Sequence, residues 1–76
     1  MSSPLPILKP KQVLWALERA GYYIHHQTGS HARLFHKNRP ELRVTIPIHS
    51  KDLPAATLHR ILKQADLSIE EFEKLL

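Results

Sequence analysis

Seventy-six residues suffice for one small domain with a thin core, and the absence of cysteine and of any metal-finger spacing excludes disulfides and a structural zinc site of the usual kind. The net charge of +4 is unevenly spread: residues 1–65 carry ten Lys and Arg against three acids, whereas residues 66–76 carry four acids against Lys74, so the basic body suits a polyanion or an acidic partner. No apolar run approaches the ~20 residues that span a bilayer, and the opening MSSPLPILKP lacks a hydrophobic signal core, so no membrane association and a cytoplasmic location are the expectation.

Residues 1–9 read as an N-terminal extension and residues 10–76 as one domain. Val13, Leu17 and Ala20 recur at helical spacing between Pro10, which suits a first helical position, and Gly21, which suits a left-handed stop. Tyr22 to Gln27 is rich in strand-forming types and runs into the turn signal Thr28-Gly29, after which His31 to His36 reads as a second strand of a hairpin. A polar connection through Asn38 and Pro40 leads to Leu42–Ile48, where Val44, Ile46 and Ile48 alternate with polar residues in a third strand ended by Pro47. Near Pro54 a helix begins that buries Leu58, Ile61, Leu62 and Ala65, and Ser68 with Glu71 forms a capping box that opens a last short helix carrying Phe72. The order α-β-β-β-α-α predicts an α+β sandwich, with a three-stranded antiparallel sheet covered by helices on one face. Trp15 lies off the helical stripe; packing beneath Leu5, Ile7 and Leu8 is weighed against an exposed anchor for a partner.

Period-two alternation sends His31, Arg33 and Phe35 to one face of the second strand and Ala32, Leu34 and His36 to the other. Leu34 belongs to the core, so His31 and Arg33 face outward. The same alternation turns Ile24, Val44 and Ile46 toward the helices and leaves Tyr23, His25, Gln27, Arg43 and Thr45 on the open face. It also puts His25 and His26 on opposite faces, and likewise His31 and His36, which argues against a compact metal-ligand pair despite six histidines. No metal and no cofactor is expected.

One arrangement is more specific than these patterns. Gly29-Ser30-His31 is followed by a strand, a turn, Val44-Thr45-Ile46-Pro47 with His49, and then Thr57-Leu58-His59-Arg60-Ile61-Leu62-Lys63-Gln64-Ala65. This resembles the HicA (YcfA-like) toxin family over roughly Pro10 to Leu76. The chain departs from the family pattern at Leu34, where an aromatic residue is usual, at Ala56 and Asp66, which replace frequent glycines, and in a connection before the third strand that is about two residues longer. The resemblance implies a fold like that of double-stranded-RNA-binding domains, endoribonuclease activity on messenger RNA, and neutralisation by a HicB antitoxin. It also implies that His31 is catalytic.

The residue types fit that chemistry. Metal-free RNA cleavage needs a base for the 2′-hydroxyl, an acid for the leaving 5′-oxygen and cations for the phosphate, and imidazole titrates close to neutral pH. Gly29 permits a tight turn and close approach of a phosphate, and Ser30 can donate a hydrogen bond to it. Arg33 and Arg43 can hold phosphates near His31, and Tyr23 or Phe35 can stack a splayed base. Their alternative role is to keep an open sheet face soluble. His49 reads equally as a cap of the following loop or as a substrate contact. Two other functions remain open: a non-catalytic RNA-binding module, indifferent to His31→Ala, and an inactive subunit that only binds its antitoxin.

Overall fold

Pro10 has no amide hydrogen to leave unpaired, and the Lys9 N–H ahead of it donates to Gln12 Oε1 at 2.9 Å; together they open α1 (Pro10–Arg19). The computed structural model describes residues 5–49 and 51–76, so residues 1–4 of the extension and Ser50 lie outside it. Helix α1 stops at Gly21, whose φ of +104° only glycine adopts without strain. A Cβ there would also meet His36 Nε2 at 2.8 Å. That imidazole pins the helix stop to the sheet. Its Nδ1 accepts the Asn38 N–H at 3.0 Å, so Nε2 carries the proton and donates to the Ala20 carbonyl at 2.9 Å.

Three strands follow, β1 (Tyr22–Thr28), β2 (His31–His36) and β3 (Arg43–Pro47), paired antiparallel in the order β1-β2-β3. Helices α2 (Ala55–Gln64) and α3 (Ile69–Glu73) complete the expected α-β-β-β-α-α order. Val13 and Leu17 of α1, Ala32 and Leu34 of β2, Val44 and Ile46 of β3, and Leu58 and Ile61 of α2 form one buried core, which Phe72 of α3 closes. Leu8 joins it, and its carbonyl accepts the Leu53 N–H at 2.8 Å. The alternation read for β2 and β3 holds residue by residue: Ala32, Leu34, Val44 and Ile46 are sealed, while His31, Arg33 and Arg43 are exposed. Ile24 pairs with Leu34 on the helix side, yet stays 39 % exposed because β1 is an edge strand.

Strict alternation fails in β1. Ile24 pairs with Leu34 but the next partner, Arg33, faces His26, so His25 is an extra residue in a β-bulge. The parity reverses beyond it: His26 and Thr28 come to the open face opposite Arg33 and His31, and Gln27 falls opposite Ala32 on the helix side. The expectations that Gln27 lies on the open face and that His25 and His26 point apart are therefore corrected. His25 itself stacks on Phe35 of the open face, with centroids 4.0 Å apart.

Asp66 occupies the left-handed position after α2 with φ +57°, where the Leu67 N–H reaches the Leu62 carbonyl and the Asp66 N–H the Lys63 carbonyl, the double closure of a Schellman stop. Arg39 Nη1 pairs with its carboxylate at 2.9 Å. Trp15 remains 53 % exposed, beside Pro6, Leu8 and the C-terminal Leu76, and Ile7 is 79 % exposed, so the N-terminal segment borders the indole without covering it.

The Tyr22 hydroxyl links sheet and helix by donating to the Ala65 carbonyl at 2.7 Å. Tyr22→Phe leaves that carbonyl without its partner and is expected to lower stability by about 1–2 kcal/mol in urea denaturation. Burial, the largest cause, raises the phenol above its usual pKa. A raised phenol stabilises the fold fully below the unfolded value near ~10 and loses that contribution as pH climbs through the folded value. Above pH ~10 the wild-type stability should therefore fall more steeply than that of Tyr22→Phe.

Candidate functional site

The site begins with a turn. Gly29 has φ +54° and Ser30 a negative φ, the signature of a type II′ hairpin turn, whose twist matches that of the flanking strands. A Cβ on Gly29 would meet nothing within 4 Å, so glycine is needed there for its backbone angle and the space above it stays open. The Ser30 carbonyl accepts the Ile48 N–H, which ties the turn to the end of β3. His31 opens β2 between Thr28 on one side and Pro47 on the other. Ser30 Oγ lies 3.4 Å from its Nδ1, a long contact on the ring edge nearer the backbone.

Two hollows meet at His31. The first, of ≈ 300 Å³ on the open face, is lined by His26, Thr28, His31, Arg33 and Thr45. The second, of ≈ 280 Å³ at the outer edge of β3, is lined by His31, Thr45, Pro47, Thr57, Arg60, Ile61 and Gln64. Gln64 Oε1 accepts the Thr45 N–H at 3.1 Å, so α2 covers the free edge of the sheet and carries Arg60 beside His31.

The cations are graded by distance. Arg33 follows His31 on the same face by two residues, about 7 Å along the strand. Arg43 pairs with Phe35, four residues from His31 or about 13 Å, and its guanidinium lies 5.1 Å from the Phe35 centroid. Phe35, half-buried, thus has His25 from one neighbouring strand and Arg43 from the other, whereas Tyr23 is 40 % exposed on the same face. Of the expected site residues, the fold brings Gly29, Ser30, His31 and Arg33 together, with Tyr23, Phe35 and Arg43 farther along the sheet.

Strand alternation misses His26 and Thr28 because no sequence signal announces the bulge. Arg60 was legible in principle, since Thr57, Arg60 and Gln64 stand three and four residues apart on one helical face. His49 caps its loop, its Nδ1 accepting the Lys51 N–H at 3.2 Å. Among the described residues no group of three or more His, Asp or Glu is gathered to hold a metal ion, and no helix is long and apolar enough to cross a membrane.

The family model described as the HicA toxin of bacterial toxin-antitoxin matches residues 10–67, from the start of α1 to the end of the α2 stop. No curated protein matches the chain significantly. With the matched segment spanning the whole sheet, the turn before His31 and both larger helices, the chain belongs to the HicA toxin family, and that membership implies an antitoxin partner.

Proposed function

We propose that this toxin is a metal-independent endoribonuclease that cuts messenger RNA, with His31 as its catalytic residue, and that a HicB-type antitoxin neutralises it. The observation that carries the reading is the exposed imidazole at the shared rim of two hollows, flanked by Arg33 and Arg60. The tautomer this reading requires has Nδ1–H directed at Ser30 Oγ, which lies 3.4 Å away, and leaves the distal Nε2 as the acceptor for the 2′-hydroxyl proton. Arg33 meets the phosphate charge, Gly29 leaves room for the backbone of the RNA, and Arg43 reaches a neighbouring phosphate. Tyr23 offers a ring to a splayed base. Phe35 supports this platform from within, since a base on its own ring must displace His25 or Arg43 or stack on the outer face of His25.

The test is cleavage of a synthetic messenger RNA by the purified chain in EDTA. Cutting is expected to persist; a strict demand for a divalent ion overturns the metal-independent mechanism.

An acidic antitoxin surface over Arg33 and Arg43 would occupy the phosphate positions and shield His31. Charge reversal by Arg33→Glu with Arg43→Glu is therefore expected to weaken RNA cleavage and antitoxin binding together. Each lost phosphate contact should lower the slope of log affinity against log salt by about 1. Loss of RNA cleavage with antitoxin affinity intact would show that the two surfaces differ.

A further inference from the structure

Cleavage of RNA through its 2′-hydroxyl needs two proton transfers on opposite sides of one phosphorus, and His31 accounts for one of them. The second position is answered by the bulge. Because His25 is inserted, His26 turns onto the open face opposite Arg33 and becomes a diagonal cross-strand neighbour of His31, a relation that places Cα atoms about 7–8 Å apart. The two imidazoles line the same ≈ 300 Å³ hollow. His26 Nε2 lies 2.6 Å from Thr28 Oγ1, and Thr28 stands directly opposite His31, so the ring is held toward the catalytic side of the hollow.

We propose that His26 is the general acid of this site, an inference that rests on the nuclease reading above. His31 takes the 2′-hydroxyl proton as the 2′-oxygen forms its bond to phosphorus. The bond from phosphorus to the 5′-oxygen breaks, and imidazolium His26 donates its proton to that oxygen. The products are a 2′,3′-cyclic phosphate and a 5′-hydroxyl end. One proton is taken and one given, so no co-reactant is required. Arg33, facing His26 across the strands, balances the non-bridging oxygens.

Other groups fit the acid role less well. Arg33 and Arg60 do not release a proton near neutral pH, and the Thr28 and Thr45 hydroxyls are far weaker acids than imidazolium. His36 has both ring nitrogens engaged on the helix side, and His25 is stacked on Phe35. His49 and His59 line neither hollow at His31.

The experiment compares two versions of one short RNA, cut at a site mapped with the wild-type protein: the natural strand, and a strand with sulfur replacing the scissile 5′-oxygen, whose thiolate leaves without being protonated. His26→Ala and His26→Gln should slow cleavage of the natural strand by about 10²-fold or more, yet cut the sulfur strand within a few-fold of wild type. His31→Ala should slow both strands. His26→Gln keeps a polar partner for Thr28, and unchanged thermal melting of both variants confirms that the turn is intact. Equal losses on the two strands, or no loss on the natural one, overturn the acid role of His26. If His31→Ala cuts both strands as fast as wild type, the catalytic assignment of His31 falls and takes this inference with it; if the wild-type protein cuts neither strand, the nuclease reading itself falls.

Discussion

Replacing His31 by alanine is expected to lower RNA cleavage by about 10²–10⁴-fold, the contribution of one positioned acid or base, and to abolish growth arrest on expression. The fold should not change, because the side chain is exposed and, among the described residues, its side-chain hydrogen-bond contact is the long one to Ser30. The cavity left behind is open to water, so no large destabilisation arises from it. Paired measurements are therefore diagnostic: growth on induction and RNA cleavage for activity, thermal melting for the fold, with and without the antitoxin. Full toxicity in His31→Ala would remove the catalytic assignment. Retained RNA binding with lost cleavage would separate the nuclease from a module that only grips RNA.

The largest effect on stability is expected at the other end of the chain. Phe72 is fully buried although it lies beyond residues 10–67, the segment that carries the family match. Its helix is only five residues long, and such a helix does not form on propensity alone. The Ser68–Glu71 capping box supports it, with the Glu71 N–H reaching Ser68 Oγ at 3.0 Å and the Ser68 N–H reaching Glu71 Oε1 at 2.9 Å. Arg19 Nε donates to the Leu75 carbonyl at 2.6 Å and ties the tail back to α1. Phe72 then fills the core beside residues of the two longer helices. Phe72→Ala should cost about 3–5 kcal/mol. In a domain this small, that lowers the melting temperature by about 20–30 °C or removes the cooperative transition altogether. Phe72→Leu keeps most of the apolar volume and should lose much less, and the difference between the two variants isolates packing from chain continuity. Melting of Phe72→Ala within a few degrees of wild type would show that the tail is an appendage to the domain.

Much of this architecture is written in local patterns. The stripe Val13, Leu17 and Ala20 with Pro10 before it and Gly21 after it is α1 with its boundaries, because helix spacing and backbone breakers act within a few residues. The Ser68–Glu71 box opens α3 for the same reason. Gly29 ahead of His31 made a hairpin legible, and the sealed Ala32 and Leu34 put His31 and Arg33 outward by simple alternation. Asp66 stands where the family resemblance puts a frequent glycine; the structure shows a left-handed backbone there, with Arg39 holding the aspartate side chain.

What the chain by itself determined, then, is the order of elements, the faces of β2 and β3, and the exposure of His31, since each follows from a repeat that a handful of neighbouring residues express. What only the tertiary structure decided is the company His31 keeps. The bulge at His25 reverses the parity of β1, and no property of Ile24-His25-His26 announces it, because register is set by hydrogen bonds to a different strand. Arg60 comes beside His31 because α2 docks along the edge of β3 through Gln64, a contact between residues nineteen positions apart. Local patterns set which way a side chain points; long-range packing sets which side chains it meets.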